Sequence, residues 1–225
     1  MSEELRTEEE QVEAIKNWWN ENGKSLLVTI AVVLAGYFGW NGYQDNKVAQ
    51  GEAASNLYQQ LVNQATKPLA LQTEADKAEI EVIATQIKEE FSGSLYAQFS
   101  GLYLAKFAIE ANDFDTAAAE LQALVDTADK GPVAYLAQVR LARVLIQQKK
   151  YDEALALVQT TPEASFTAQY EEVKGDALFA KGDLSTASDA YQAARTAAAS
   201  LGINTEVLQR KIDDLAGAKN SGAEA

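Results

Sequence analysis

From Leu26 to Tyr43 the chain reads LLVTIAVVLAGYFGWNGY, without a single Asp, Glu, Lys or Arg. As a helix rising ~1.5 Å per residue, this run covers roughly 27 Å, close to the hydrocarbon thickness of a bilayer. Trp18 and Trp19 precede it and Trp40 and Tyr43 close it, the placement of aromatic residues at headgroup level. A buried core helix would carry a polar face, and this run has none. A cleaved signal peptide would start short and basic and end at a small-x-small site. Here an acidic leader precedes the run and Tyr43-Gln44-Asp45-Asn46 follows it. An uncleaved signal anchor fits best. Arg6, Lys16 and Lys24 lie before the span, whereas Lys47 alone follows closely after it. That bias places the N-terminus inside and the rest of the chain outside the cytoplasm. Ala31, Ala35, Gly39 and Gly42 share roughly one face of the span. Such a stripe either lets another transmembrane helix approach closely or reflects how common small residues are in spans.

Composition narrows the chemistry. The chain has no His and no Cys, which removes disulfides, zinc sites, thiol nucleophiles and His-based acid/base catalysis. A Ser nucleophile would need a Lys base, and no such spacing stands out. Asp113 and Asp115 fall at a turn, where carboxylates cap helices. No phosphate-binding glycine loop or calcium loop occurs. The sequence therefore points to a protein that is not an enzyme and uses no cofactor or metal. The formal net charge of −14 repels nucleic-acid phosphates, and no basic stripe overrides that field.

After the span the pattern is helical. Ala54, Leu57, Tyr58, Leu61, Val62 and Ala65 form one apolar stripe, ended by Lys67-Pro68. Ile80, Ile83, Ala84, Ile87 and Phe91 form the next, ended by Ser92-Gly93-Ser94. An internal repeat then emerges between LAKFAIEANDFDTAAAEL (104–121), LARVLIQQKKYDEALALV (141–158) and KGDALFAKGDLSTASDAY (174–191). Small residues coincide at Ala105, Ala142 and Gly175, and again at Ala117, Ala154 and Ala187. Phe114, Tyr151 and Leu184 coincide in the turn. The offsets of about 37 and 33 residues bracket the 34 of a tetratricopeptide repeat. Small residues let paired helices pack closely, and the bulky turn residue seals the end of each pair. A generic Ala-rich bundle is the alternative. Gly131-Pro132 opens the second pair, with Pro suited to a first helical turn, and Pro162 breaks its second helix. Thr205 to Leu215 reads as a terminal capping helix with its charged side in water.

The expected fold is all-α: one N-terminal transmembrane helix followed by a tetratricopeptide-like repeat array. Residues 1–24 form a cytoplasmic segment, 25–43 the transmembrane helix, 44–217 the repeat domain, and 218–225 a disordered tail. In such arrays the first helix of each pair lines a groove. With the pairs numbered from Gln98, Tyr135 and Ala168, that face carries Phe99, Leu102, Lys106 and Ile109. It continues with Leu136, Val139, Arg143 and Ile146, then Gln169, Glu172, Asp176 and Phe179. Lys106 and Arg143 supply cations, but Leu102 and Val139 stand where a carboxylate clamp needs polar donors, and Glu172 and Asp176 would repel a carboxylate. The groove reads as mostly apolar with opposite charges at its ends, suited to a protein segment with exposed hydrophobic residues. Alternatively, some of these side chains pack against a helix over 69–91.

The order of parts resembles one family. Gln11-Val12-Glu13-Ala14-Ile15-Lys16, the aromatic pair, Glu21-Asn22-Gly23-Lys24 and a single apolar span look like the YfgM family. Leu141-Ala142-Arg143-Val144, Gly175-Asp176-Ala177-Leu178, Lys181-Gly182-Asp183 and Gln209 to Leu215 continue the likeness. The resemblance implies an ancillary subunit of the SecYEG translocon in the bacterial inner membrane, with a cytoplasmic N-terminus and a periplasmic repeat domain. It implies partnership with the translocon and with PpiD, a membrane-anchored periplasmic chaperone, and a role in passing translocated proteins to periplasmic chaperones. Unfolded client proteins are a further implied partner. A scaffold that assembles another cell-envelope complex has the same architecture and is the alternative.

Overall fold

The computed structural model describes residues 8–67, 71–128, 131–161 and 163–222, and all regular structure among them is helical. The chain divides into two compact units, residues 1–53 and 54–225.

The first unit consists of most of helix α1, Glu8–Ala65. Its side chains from Leu26 to Tyr43 are exposed throughout, and α1 is the one helix among the described residues long and apolar enough to cross a membrane. Because none of that apolar window is buried, it does not serve as a core helix. Trp19 folds back over Gly23, where an added Cβ would lie 3.1 Å from the indole ring. At the other end, the Lys47 ammonium sits 5.6 Å from the centre of the Tyr43 ring, a charged tip at the rim of the apolar run.

The second unit begins with the last turns of α1. Leu61 and Ala65 pack with Ile80, Ile83, Ala84 and Ile87 of α2 (Glu74–Glu90) and with Ala97 of α3 (Leu95–Glu110). These are the two stripes read from the sequence. Helix α2 starts at Glu74 because Thr73 and Asp76 form a reciprocal capping box; Pro68 and Leu69 lie outside the described residues. Three pairs follow. They are α3 (Leu95–Glu110) with α4 (Phe114–Thr127), α5 (Pro132–Gln147) with α6 (Tyr151–Leu157), and α7 (Thr167–Lys181) with α8 (Leu184–Ser200). Helix α6 stops at Leu157, and a 3-10 turn at Ala164–Phe166 leads into α7. Pro162, expected to break that helix, lies outside the described residues. The last helix, α9 (Glu206–Gly222), continues past Gly217, where the sequence suggested that the domain ends; residues 223–225 are outside the described set.

The pairs share one turn. Asn112, Lys149 and Gly182 stand at equivalent positions with φ of 59°, 62° and 93°. Each left-handed residue lets the next amide reach five residues back, from Asp113 to Ala108, Lys150 to Leu145 and Asp183 to Leu178, at 2.8–2.9 Å. This double cap satisfies carbonyls that the helix end leaves open. Asp113 and Asp183 then cap the next helix, accepting from the amides of Thr116 and Thr186 at 3.0 and 3.1 Å. The Thr116 hydroxyl, which donates to Asp113 at 2.7 Å, and these amide bonds favour the ionised carboxylates and hold both below the usual carboxylate range.

Small residues pack where the sequence placed them: Ala105, Ala142, Ala117, Ala154 and Ala187 are buried. At Gly175 the register shrinks further. Leu121 and Val158 close the first two repeat segments, and in the third the same position is Tyr191. A Cβ on Gly175 would come within 2.5 Å of the Tyr191 ring. The larger side chain in α8 therefore demands the smaller one in α7. Tyr191 donates to Asp176 Oδ1 at 2.7 Å, and burial with this acceptor pushes its phenol pKa well up. Tyr170, fully buried in α7, donates to Gln138 of α5, and burial raises its pKa to about 12.

Candidate protein-binding groove

The face sought in the sequence is the one presented by α3, α5 and α7. On α3, Phe99 and Ile109 are half-buried, Leu102 is buried and Lys106 exposed. Phe99, Leu102 and Lys106 line one cleft of about 340 Å³ together with Tyr58, Tyr103 and Arg140. Tyr58 comes from the end of α1, and its ring lies 5.9 Å from that of Phe99. A second cleft of about 400 Å³ follows at the end of α3. It is formed by Ile109, Asn112 and Phe114 facing Arg140, Arg143, Val144 and Gln147. Arg140 lines both clefts.

The α5 positions need correction. Val139 is 1% exposed and belongs to the central core, so it does not face a groove. Leu136 and Ile146 are half-buried and pack against the same core. The next residue, Arg140, takes the place assigned to Val139. One residue is ~100° around a helix of 3.6 residues per turn, and a repeat register set by the small residues and the bulky turn residue does not separate two neighbours on α5.

On α7, Gln169 is exposed and Phe179 is 47% exposed; neither lines the two clefts. Glu172 and Asp176 were expected to leave this end of the groove acidic. Instead Lys211 of α9 donates to Glu172 at 2.8 Å and Asp176 at 2.6 Å. Arg143 adds a contact to Glu172 at 3.5 Å. The capping helix thus turns Lys211 inward rather than to water, and both acids are neutralised where they stand. Lys211 also lies 5.4 Å over the Tyr191 ring. Its role has no sequence signal, since α9 carries no repeat register.

On α1, Ala31, Ala35, Gly39 and Gly42 are exposed, and an added Cβ at Gly39 or Gly42 would meet nothing within 4 Å.

Stacked helix pairs with open clefts on the first-helix face, joined to an unburied apolar helix, define a helical-repeat protein. The sequence matches the tetratricopeptide repeat-like domain family over residues 16–217. It is 32% identical over 209 residues to the ancillary SecYEG translocon subunit of Haemophilus influenzae, covering 92% of this chain and 97% of that protein. With the protein of the same name from Escherichia coli K12 it shares 31% over 211 residues, 92% and 96% of the two chains. A Neisseria gonorrhoeae protein of that name is 29% identical over 208 residues, 92% and 97% of the two chains. No solved structure matches significantly. The chain belongs to the YfgM family and carries a tetratricopeptide repeat-like domain.

Proposed function

We propose that this protein is an ancillary subunit of the SecYEG translocon, a membrane-anchored adaptor that binds protein segments and hands translocated proteins to periplasmic chaperones. The observation that carries the proposal is the combination of end-to-end relatives bearing that name with two adjoining clefts on the first-helix face. The apolar stretch of α1 is the anchor. The Lys/Arg bias around it favours a cytoplasmic N-terminus and a periplasmic repeat domain. Its Ala31, Ala35, Gly39 and Gly42 stripe suits close approach by a neighbouring membrane helix. Phe99, Leu102, Lys106, Ile109 and Arg143 belong to the binding face, which is joined by Arg140, Tyr58 and Tyr103. The acids Glu172 and Asp176 serve packing of the third pair rather than partner contact. The action is binding rather than catalysis, and the family likeness suggests a PpiD-like chaperone among the partners.

The test is site-specific photocrosslinking of the full chain in native membranes, with benzoylphenylalanine at Lys106. Adducts with translocon subunits or with a membrane-anchored periplasmic chaperone are expected. Adducts confined to components of another envelope complex would favour the scaffold reading and overturn this one. Protease added to spheroplasts should digest the repeat domain; protection of that domain would reverse the orientation.

A further inference from the structure

We infer that the groove selects a segment within a partner polypeptide that carries an Asp or Glu side chain between apolar side chains, and that Arg140 is the residue that receives the carboxylate. This deepens the protein-binding reading above and rests on it.

Three observations converge on Arg140. First, Arg140 is the one residue that lines both of these clefts. Second, it has no carboxylate partner among the described residues, although its neighbours do. Lys106 pairs with Glu110 at 3.6 Å, and Arg143 with Glu172 at 3.5 Å. Glu172 is also held by Lys211 of α9 at 2.8 Å, so it is not available to Arg140. Third, Arg140 is half-buried, and desolvation together with the like charge of Arg143 works against its cationic form. A guanidinium stays charged in proteins, so a partly desolvated, unpaired one gains strongly from an incoming carboxylate. In a chain of net charge −14, Arg140 is thus a cation in these clefts that no carboxylate among the described residues pairs with.

The clefts also specify what surrounds that carboxylate. Toward the start of α3 the wall is Tyr58, Phe99, Leu102 and Tyr103. Toward its end the wall is Ile109, Phe114 and Val144. Each accepts an apolar side chain, and Arg140 lies where the two meet. A chain terminus ending at Arg140 would leave one cleft empty. A continuous segment fills both, which favours a side-chain carboxylate over a terminal one.

The experiment uses the full chain in mild detergent and fluorescein-labelled, end-capped peptides of alternating Leu and Ala with Ser-Gly ends. The central residue is Glu, Gln or Lys, and a fourth peptide has a Gln centre and a free C-terminal carboxylate. Fluorescence anisotropy should show the Glu peptide binding about ten-fold or more tighter than the Gln peptide, and the Lys peptide weakest. Arg140→Gln should bring the Glu and Gln peptides to equal affinity, and a circular-dichroism melt close to that of the unaltered chain reports that the array is folded. Arg140→Lys should keep part of the preference. The inference is overturned if the unaltered chain binds Glu and Gln peptides alike, or if Arg140→Gln leaves the preference intact. It is also overturned if the free-carboxylate peptide outcompetes the capped Glu peptide. Binding of the Gln peptide in those cases leaves the broader protein-binding reading standing. If none of the four peptides binds, that reading falls too.

Discussion

Adding one methyl group at Gly175 should unsettle the third helix pair more than any other small change in the array. The built Cβ lies 2.5 Å from two carbons of the Tyr191 ring, against a favourable carbon–carbon separation of about 3.5–4.0 Å. The ring must therefore move by about 1 Å. It is held by its bond to Asp176 and by Lys211 above its face. Overpacking of this kind costs about 1–3 kcal/mol, and loss of a hydrogen bond to a charged acceptor adds about 1.5–3 kcal/mol. Replacing a mid-helix Gly with Ala returns about 1 kcal/mol through backbone entropy. The net for Gly175→Ala is a loss of about 1.5–5 kcal/mol, or roughly 3–20 °C in Tm for a domain of this size. Thermal unfolding followed by circular dichroism on the detergent-solubilised chain measures it. Gly101→Ala is the comparison: its added Cβ meets only flexible Leu124 side-chain carbons at 3.2–3.3 Å, and its Tm should move far less. Combining Gly175→Ala with Tyr191→Leu recreates the small-large pairing of the first repeat, and should recover about 1 kcal/mol or more relative to the single change. A Gly175→Ala protein that melts within a degree of the unaltered one, with no coupling to Tyr191, would refute this account of the pair.

Three further outcomes follow from the same geometry. Lys149→Gly should raise stability by about 0.5–1 kcal/mol, because Lys149 occupies the left-handed region at φ 62°, where a Cβ is penalised; Gly182→Ala should lower it by about 1–2 kcal/mol, both read by urea denaturation. Lys211→Met should cost about 1–3 kcal/mol by removing the cationic donor that Glu172 and Asp176 share, whereas Lys174→Met, which removes only an i,i+3 pair with Glu171, should stay near neutral. The folded-state pKa values of Asp113 and Asp183 lie below those of the unfolded chain, so their stabilisation is present above about pH 4 and is lost as pH falls through the folded values. Asp113→Ala/Asp183→Ala should lower Tm at neutral pH and weaken its dependence on pH below about 4, which a pH series of melts checks.

Much of this architecture is written locally. The span from Leu26 to Tyr43 is legible because length and the absence of charge are properties of a segment on its own. The stripes at Leu57–Leu61 and Ile80–Ile87 are legible because 3.6-residue periodicity repeats within a helix. The coincidences at Ala105, Ala142 and Gly175 mark the pairs because close helix packing needs small residues. The recurring left-handed position was also available in principle. Gly182 and Asn112 are residue types that favour it, but Lys149 conceals the third instance.

Between neighbouring residues on one helix, local pattern has no means to decide. Val139 and Arg140 differ by one step of about 100°. Only the packing of α5 against α4, α6 and α7 sends the first into the core and leaves the second in the clefts. Likewise nothing in the segment around Lys211 records that Glu172 and Asp176 lie across from it, some 35–39 residues earlier in the chain. The sequence alone determined an apolar helix long enough to cross a membrane, helical pairs and the family. Tertiary structure decided which charges are paired inside the array and left Arg140 in the clefts without a carboxylate among the described residues, because charge pairing across helices depends on their mutual rotation, and no single helix encodes that.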